Sequence, residues 1–143
     1  MASVSDHELI RNAIALNCLA FDKKDWHLTK QCFTEDCVVD YPEPLGITRG
    51  LSAYTERLQK AIGHLQTQHA LTTQIIDVTS DVTASAMTYS RAIHFLDGKT
   101  FFAEGRYEDE LVRVTVDGKR RWLIKERKVV TMGVPRGDWS LLH

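Results

Sequence analysis

The chain changes hydrophobic period once, near Gln66, from a helical repeat to an alternating one. Ser5-Asp6-His7-Glu8 has the Ser-x-x-Glu form of a capping box, and Leu9, Ala13, Leu16 and Ala20 follow at helical spacing, flanked by Ile10, Ile14, Asn17 and Phe21. Asp25 can cap a second, short helix carrying Trp26, Leu28, Cys32 and Phe33. Cys37-Val38-Val39-Asp40-Tyr41 is then β-prone and is stopped by Pro42 and Pro44, after which Gly46 to Gly50 read as a loop. Ser52 opens a third helix whose apolar stripe is Leu51, Tyr54, Leu58, Ala61, Ile62 and Leu65. Strands are predicted at about 66–78, 82–96, 99–116 and 120–132, a four-strand antiparallel meander with the 37–41 segment as a fifth. The predicted class is α+β: three N-terminal helices packed on a curved antiparallel sheet.

Asp97-Gly98 fits a two-residue type I′ hairpin turn, and such a turn fixes register. Leu96 then opposes Lys99, His94 opposes Phe101, Thr88 opposes Tyr107 and Ala86 opposes Asp109. Because side chains alternate, Ser90, Ala92 and His94 share a mostly apolar face with Phe101, Ala103, Tyr107 and Asp109. Phe102, Glu104, Arg106, Glu108 and Glu110 form the opposite, charged face, and Arg91 points away from His94. At Asp117-Gly118 a loop of two or four residues puts Trp122, Ile124 and Glu126 inside and Lys125 and Arg127 outside; a three-residue loop reverses the assignment.

Composition narrows the function. The chain of 143 residues is expected to form a single domain, 1–143, with 43% apolar and 26% charged residues. A net charge of −1 provides no basic field for nucleic acid or an anionic membrane, so neither is an expected partner. The first residues lack a basic segment followed by an apolar run, and no stretch reaches the ~20 apolar residues of a bilayer span, so the expected location is cytoplasmic. Cys18, Cys32 and Cys37 are odd in number and lie in apolar surroundings, as small core residues would. There is no Cys-x-x-Cys, the six histidines miss metal-ligand spacings, and no Gly-rich phosphate loop exists, so neither a metal nor another cofactor is expected.

The chemistry concentrates in His69 and His94, each inside a strand-like run. Imidazole exchanges protons near neutral pH, and two facing one cavity suit general acid/base work, although a buried strand histidine can also be a merely hydrogen-bonded core residue. No dipeptide fixes the length of the turn near Thr79-Ser80-Asp81, so the face of His69 is open. If it points inward with Leu71, Thr73 and Ile75, the two histidines lie several residues apart on neighbouring strands and converge only if the sheet bends strongly.

Three helices, a curved sheet and the closing strand Trp122-Leu123-Ile124-Lys125-Glu126-Arg127 resemble the nuclear transport factor 2-like superfamily, over nearly the whole chain. Within it the pattern is most similar to the SnoaL-like group and to the scytalone dehydratases. Thr67-Gln68-His69 and Arg91-Ala92-Ile93-His94 match the two catalytic histidine segments of those dehydratases, including the 25-residue separation. The resemblance places Asp22, in Phe21-Asp22-Lys23-Lys24-Asp25-Trp26, as the carboxylate that orients a histidine, and Tyr41 as a tyrosine holding a water on the substrate carbonyl. Phe21 replaces a second such tyrosine, and Tyr107 and Asp109 stand where the dehydratases have serine and asparagine, so a substrate other than scytalone is implied.

The resemblance implies a cofactor-independent enzyme of secondary metabolism that isomerises, cyclises or dehydrates a polyketide or terpenoid ketone. His69 and His94 would move the proton, with Asp22 and Tyr41 assisting. Asp109 is a further candidate, as a base, as a protonated acid, or as a polar group at the open end of the cone-shaped cavity that helices on the concave side of such a sheet would leave. Phe21, Tyr54, Phe101, Tyr107, Trp122 and Glu126 are the expected substrate contacts. The alternative is a non-catalytic ligand-binding or dimerisation module of the same fold. A homo-oligomer, dimer or trimer, is expected through the outer face, where Met87, Tyr89, Ile93 and Phe102 mix with charges. Trp139, near the chain end, could form a lid or partner contact, but a loosely packed terminus is expected.

Overall fold

The computed structural model describes residues 3–142. Helix α1 (Asp6–Lys23) starts at the capping box: the Ser5 side chain accepts from the Glu8 backbone amide, and the Glu8 side chain accepts from the Ser5 amide. Its buried face, including Ile10, Ile14, Cys18 and Phe21, packs on the concave side of the sheet. Helix α2 (Leu51–Ile62) buries Leu51, Tyr54, Leu58 and Ile62, the i, i+3, i+4 stripe expected for a helix lying on a core.

The strands are β1 (Phe33–Tyr41), β2 (Gly46–Arg49), β3 (Gln66–Val78), β4 (Thr83–Leu96), β5 (Lys99–Val116), β6 (Lys119–Thr131) and β7 (Arg136–Gly137). They form one sheet in the order β2-β1-β6-β5-β4-β3, with β7 added to β5. All pairs are antiparallel except β1 with β6. The α+β class is therefore as expected, with three differences near the helices. The second helix is only a 3-10 turn, Leu28–Gln31, with the Leu28 amide bonded to Asp25 Oδ1 at 3.2 Å. It stops there because Phe33 already belongs to β1, where its ring is buried. The expected loop at 46–50 contains β2, which folds back on β1 across Pro42–Leu45, and a further short strand, β7, lies beyond the last predicted one.

The two Asp-Gly turns behave as read. Asp97 and Gly98 have φ of 50° and 77°, Asp117 and Gly118 have 52° and 74°, the paired positive values of a type I′ turn. His94 opposes Phe101 and Ala86 opposes Asp109.

Register then departs from expectation twice. On β6, Leu111 opposes Ile124 but Glu110 opposes Glu126, so Lys125 is an extra residue. This bulge reverses every later side chain. Trp122 and Ile124 point inward as expected, whereas Arg127 is buried inside at 2% exposure and Glu126 stands outside. On β3, Leu71 opposes Ser90 and Gln74 opposes Thr88, so two residues face one. Leu71 and Ile76 consequently face the core, while Ile75 is 66% exposed and Thr73 is also outside.

The core lies between α1, α2 and the sheet, with Phe33, Trp122, Leu111 and Ile124 against Ile10 and Ile14. Burying each such side chain is worth about 1.5–3 kcal/mol. The C-terminal segment is not loose: β7 pairs with β5, Leu141 is buried, and the Trp139 ring lies 4.7 Å from that of Phe101. Among the described residues, no helix is long and apolar enough to cross a membrane.

Candidate active site

Asp22 sits in the last turn of α1, which ends where β3 begins to cross beneath it. One carboxylate oxygen, Oδ1, lies 2.7 Å from His69 Nδ1 and accepts from Thr67 Oγ1 at 2.9 Å; the other, Oδ2, accepts from the His69 backbone amide at 2.9 Å. Burial raises the pKa of Asp22, but the His69 and Thr67 hydrogen bonds outweigh it and hold the group below the usual carboxylate value. Asp22 is therefore an anion at neutral pH, and a carboxylate can only accept. His69 consequently carries its proton on Nδ1 and leaves Nε2 as its free, basic nitrogen.

The register of β3 with β4 settles how the histidines meet. Thr67 opposes His94 and His69 opposes Ala92, so His69 and His94 share a face as diagonal neighbours one pleat apart. No strong bend is needed, because the Leu71–Gln74 bulge lies beyond them toward the turn. His94 is buried, and its Nδ1 lies 3.2 Å from the carbonyl oxygen of Phe101, which fixes that nitrogen as the donor. Burial lowers the pKa of His94; the Phe101 bond and Asp22 oppose that, while His69 and Lys24 add to it. His94 is thus a neutral imidazole at pH 7 with Nε2 free.

Both rings line a cavity of about 350 Å³, within the size range of small-molecule pockets. Phe21, Leu58, Ile62, Phe101 and Ala103 supply apolar wall. The Tyr41 and Tyr54 hydroxyls, 2.8 Å apart, stand on another side of it. Burial pushes both phenols above their ordinary pKa, so they remain protonated hydrogen-bond donors. Arg57 lines the mouth and ties down the β1–β2 connection by donating to Thr48 Oγ1 at 2.5 Å and to the Leu45 carbonyl. Trp139 and Pro135 from the C-terminal segment complete the rim.

Of the residues expected to act, His69, His94 and Tyr41 are brought together on this cavity, with Asp22 directly behind His69. Phe21, Tyr54, Phe101 and Tyr107 also line it. Three expectations fail. Glu126 is on the outer face because of the Lys125 bulge. Trp122 lies in the core beneath the start of α1, its Nε1 donating to Asp6 at 2.9 Å. Asp109 is buried away from the cavity and gripped by Arg127, whose Nε and a terminal nitrogen donate to its two oxygens at 2.7 and 2.9 Å. A carboxylate held in that fork is neither a free base nor a protonated acid.

Arg127 also donates to Asn17 Oδ1 and stacks 3.8 Å beneath the Tyr107 ring, so Tyr107 separates this buried pair from the cavity. Sequence reasoning missed Arg127, Lys24, Thr67 and Arg57. The last two carried a readable signal: Thr67 shares a strand face with His69 two residues away, and Arg57 lies three residues from Tyr54 on one helix face. Burial holds the Cys18 and Cys32 thiols up at about 12, consistent with inert core residues.

Acid/base groups on the concave side of a curved, unclosed sheet closed over by helices define a nuclear transport factor 2-like protein. The SnoaL-like domain model matches residues 2–128, and the chain belongs to that family. Terrestric acid biosynthesis cluster protein E of Penicillium crustosum is 27% identical over 146 residues, covering 97% of this chain and 90% of that protein. A structure from Novosphingobium aromaticivorans, provisionally assigned as a scytalone dehydratase, is 27% identical, with a TM-score of 0.76 over 90% of this chain and 85% of that one. A second structure from the same bacterium, provisionally assigned as an aromatic ring hydroxylase, has a TM-score of 0.83 over 100% of both chains at 20% identity, a likeness of fold.

Proposed function

We propose that the cavity is the active site of a cofactor-independent enzyme that moves a proton next to the carbonyl of a polyketide or terpenoid ketone. The outcome is isomerisation, ring closure or loss of water. The observation that carries this reading is the Asp22–His69 pair on the wall of an apolar cavity: the carboxylate fixes the tautomer, presents a basic Nε2, and stabilises the imidazolium formed when that nitrogen takes a proton. Tyr41, with its partner Tyr54, is suited to donate to the oxygen on which negative charge develops. His94, kept neutral by burial, presents a bare Nε2 suited to accept a hydrogen bond from a substrate hydroxyl and so orient it; in an elimination the leaving hydroxyl takes the proton that His69 has collected from carbon and departs as water. The Penicillium relative supports a place in secondary metabolism, and the Novosphingobium structure supports dehydratase-type chemistry.

The test is incubation of purified, metal-free protein with cyclic polyketide and terpenoid ketones in heavy water, reading deuterium uptake and product mass. Deuterium beside the carbonyl, with mass otherwise unchanged or lowered by one water, is expected. No uptake together with tight ligand binding would instead leave a binding module.

The assembly proposed with this activity is a homodimer through the outer sheet face. There Arg91 meets Glu104 at 3.6 Å and Arg106 meets Glu108 at 3.2 Å among the partly exposed Tyr89, Ile93 and Phe102, the mixture of aromatics and arginine that interfaces favour. Sedimentation is expected to give twice the monomer mass, and Phe102→Glu to give monomer. Monomer from the unaltered chain would remove the interface.

A further inference from the structure

Lys24 is the one non-glycine residue outside the Asp-Gly turns that has a positive φ among the described residues, at 57° with ψ 34°. This left-handed position after a helix is normally given to glycine, which adopts it without strain. Here it is occupied by a long cation that turns back over the helix end. Its Nζ donates to the Phe21 carbonyl at 3.0 Å and to Thr67 Oγ1 at 2.7 Å.

The second bond has a directional consequence. An ammonium only donates, so Thr67 Oγ1 must accept there, and its single proton is left to go to Asp22 Oδ1 at 2.9 Å. The same oxygen takes the His69 Nδ1 proton, and the other takes the His69 backbone amide. Ammonium, hydroxyl, carboxylate and imidazole thus form one chain in which every proton has an assigned direction. A plain helix cap would need only the Phe21 carbonyl, and glycine would serve as well.

The geometry points to Lys24 and Thr67 as positioning residues of the Asp22–His69 pair: they fix the carboxylate that orients the base. This rests on the reading of His69 as the working base. His94 faces His69 from β3, Asp22 and Lys24 from the end of α1, and the Phe101 carbonyl from β5. Tyr107, Tyr41, Tyr54 and Arg57, with the carboxylate residues Glu43 and Glu104, line the same cavity. Lys24 is the cation in that group whose amine is tied into the carboxylate chain, so its removal makes a charged His94 less costly. Burial of His94 remains the larger restraint.

The experiment is a proton and nitrogen NMR titration of the imidazoles in the full chain, comparing wild type with Lys24→Gly, Thr67→Val and Thr67→Ser. Lys24→Gly suits the left-handed backbone, so its thermal midpoint is expected to stay near that of wild type. In wild type the His69 Nδ1 proton should be slowly exchanging and far downfield, as expected for a carboxylate-bonded ring. Lys24→Gly should raise the His94 midpoint by roughly half a pH unit, the scale of one unit charge beyond direct contact. It should also broaden the His69 Nδ1 proton. Thr67→Val should broaden that proton too, and Thr67→Ser, which keeps the hydroxyl, should restore it. An unchanged His94 midpoint in Lys24→Gly, with an unchanged His69 proton in both Lys24→Gly and Thr67→Val, would overturn the proposal and reduce Lys24 to a helix cap. Failure of ketone deuteration with these signatures intact would fault the catalytic reading alone.

Discussion

Replacing His69 with alanine is expected to lower deuterium uptake by the responsive ketone by roughly 10²–10⁴-fold, the contribution of a positioned general base. The loss should fall on turnover more than on ketone binding, because the 350 Å³ cavity is walled mainly by apolar groups that the substitution leaves in place. Folding should survive, since the ring makes one edge contact with Phe21 at 5.7 Å and Thr67 remains to hold Asp22. Asp22→Asn should reduce the rate in the same direction: an amide can offer an N–H to His69 Nδ1 and so favour the tautomer with Nε2 protonated, which cannot accept the substrate proton. Matched wild-type and His69→Ala uptake on one substrate would place the base elsewhere.

The largest effect on stability is expected at Arg127. The pair it forms with Asp109 is almost wholly shielded, with side chains 1% and 0% exposed, and Asn17 spends its oxygen on the same guanidinium. Arg127→Met removes the cation and strands a carboxylate in the interior, a change that typically costs about 3–5 kcal/mol. Urea denaturation should show that loss as a lower midpoint with an unchanged slope. Arg127→Met combined with Asp109→Leu should recover much of it, since two apolar groups of similar volume leave no unpaired charge. A single variant as stable as the wild type would mean that the pair contributes nothing to folding. Because Tyr107 rests on the guanidinium, both variants should also loosen the floor of the cavity.

The parts of this fold legible in the sequence are those governed by local chemistry. Ser5 and Glu8 announce the start of α1 because a capping box is a contact across three residues. Asp97-Gly98 announces the β4–β5 register because few dipeptides accept two positive φ values, and that register sets His94 opposite Phe101. The Asp22–His69 contact spans 47 positions and came from resemblance; no periodicity implies that the end of α1 reaches the second pleat of β3. The illegible parts follow from bulges. Neither Leu71–Gln74 nor Lys125 contains a glycine or proline to mark an extra residue, and alternation carried past them assigns Ile75 and Glu126 to the wrong face. Alternation puts Asp109 on the correct face but assigns its partner Arg127 to the outside, so the ion pair is hidden from the sequence.

The extra residue at Lys125 has a consequence for how chains of this kind are compared. Shortening β6 by that one position, with the β5–β6 turn unchanged, would leave a regular ladder in which Arg127 follows Ile124 by two residues and still faces Asp109, whereas keeping the residue and ironing out the bulge would send Arg127 to water and leave Asp109 without its guanidinium. A gap of a single residue at this point, placed one way or the other, therefore decides whether a relative is assigned an interior arginine or an exposed one.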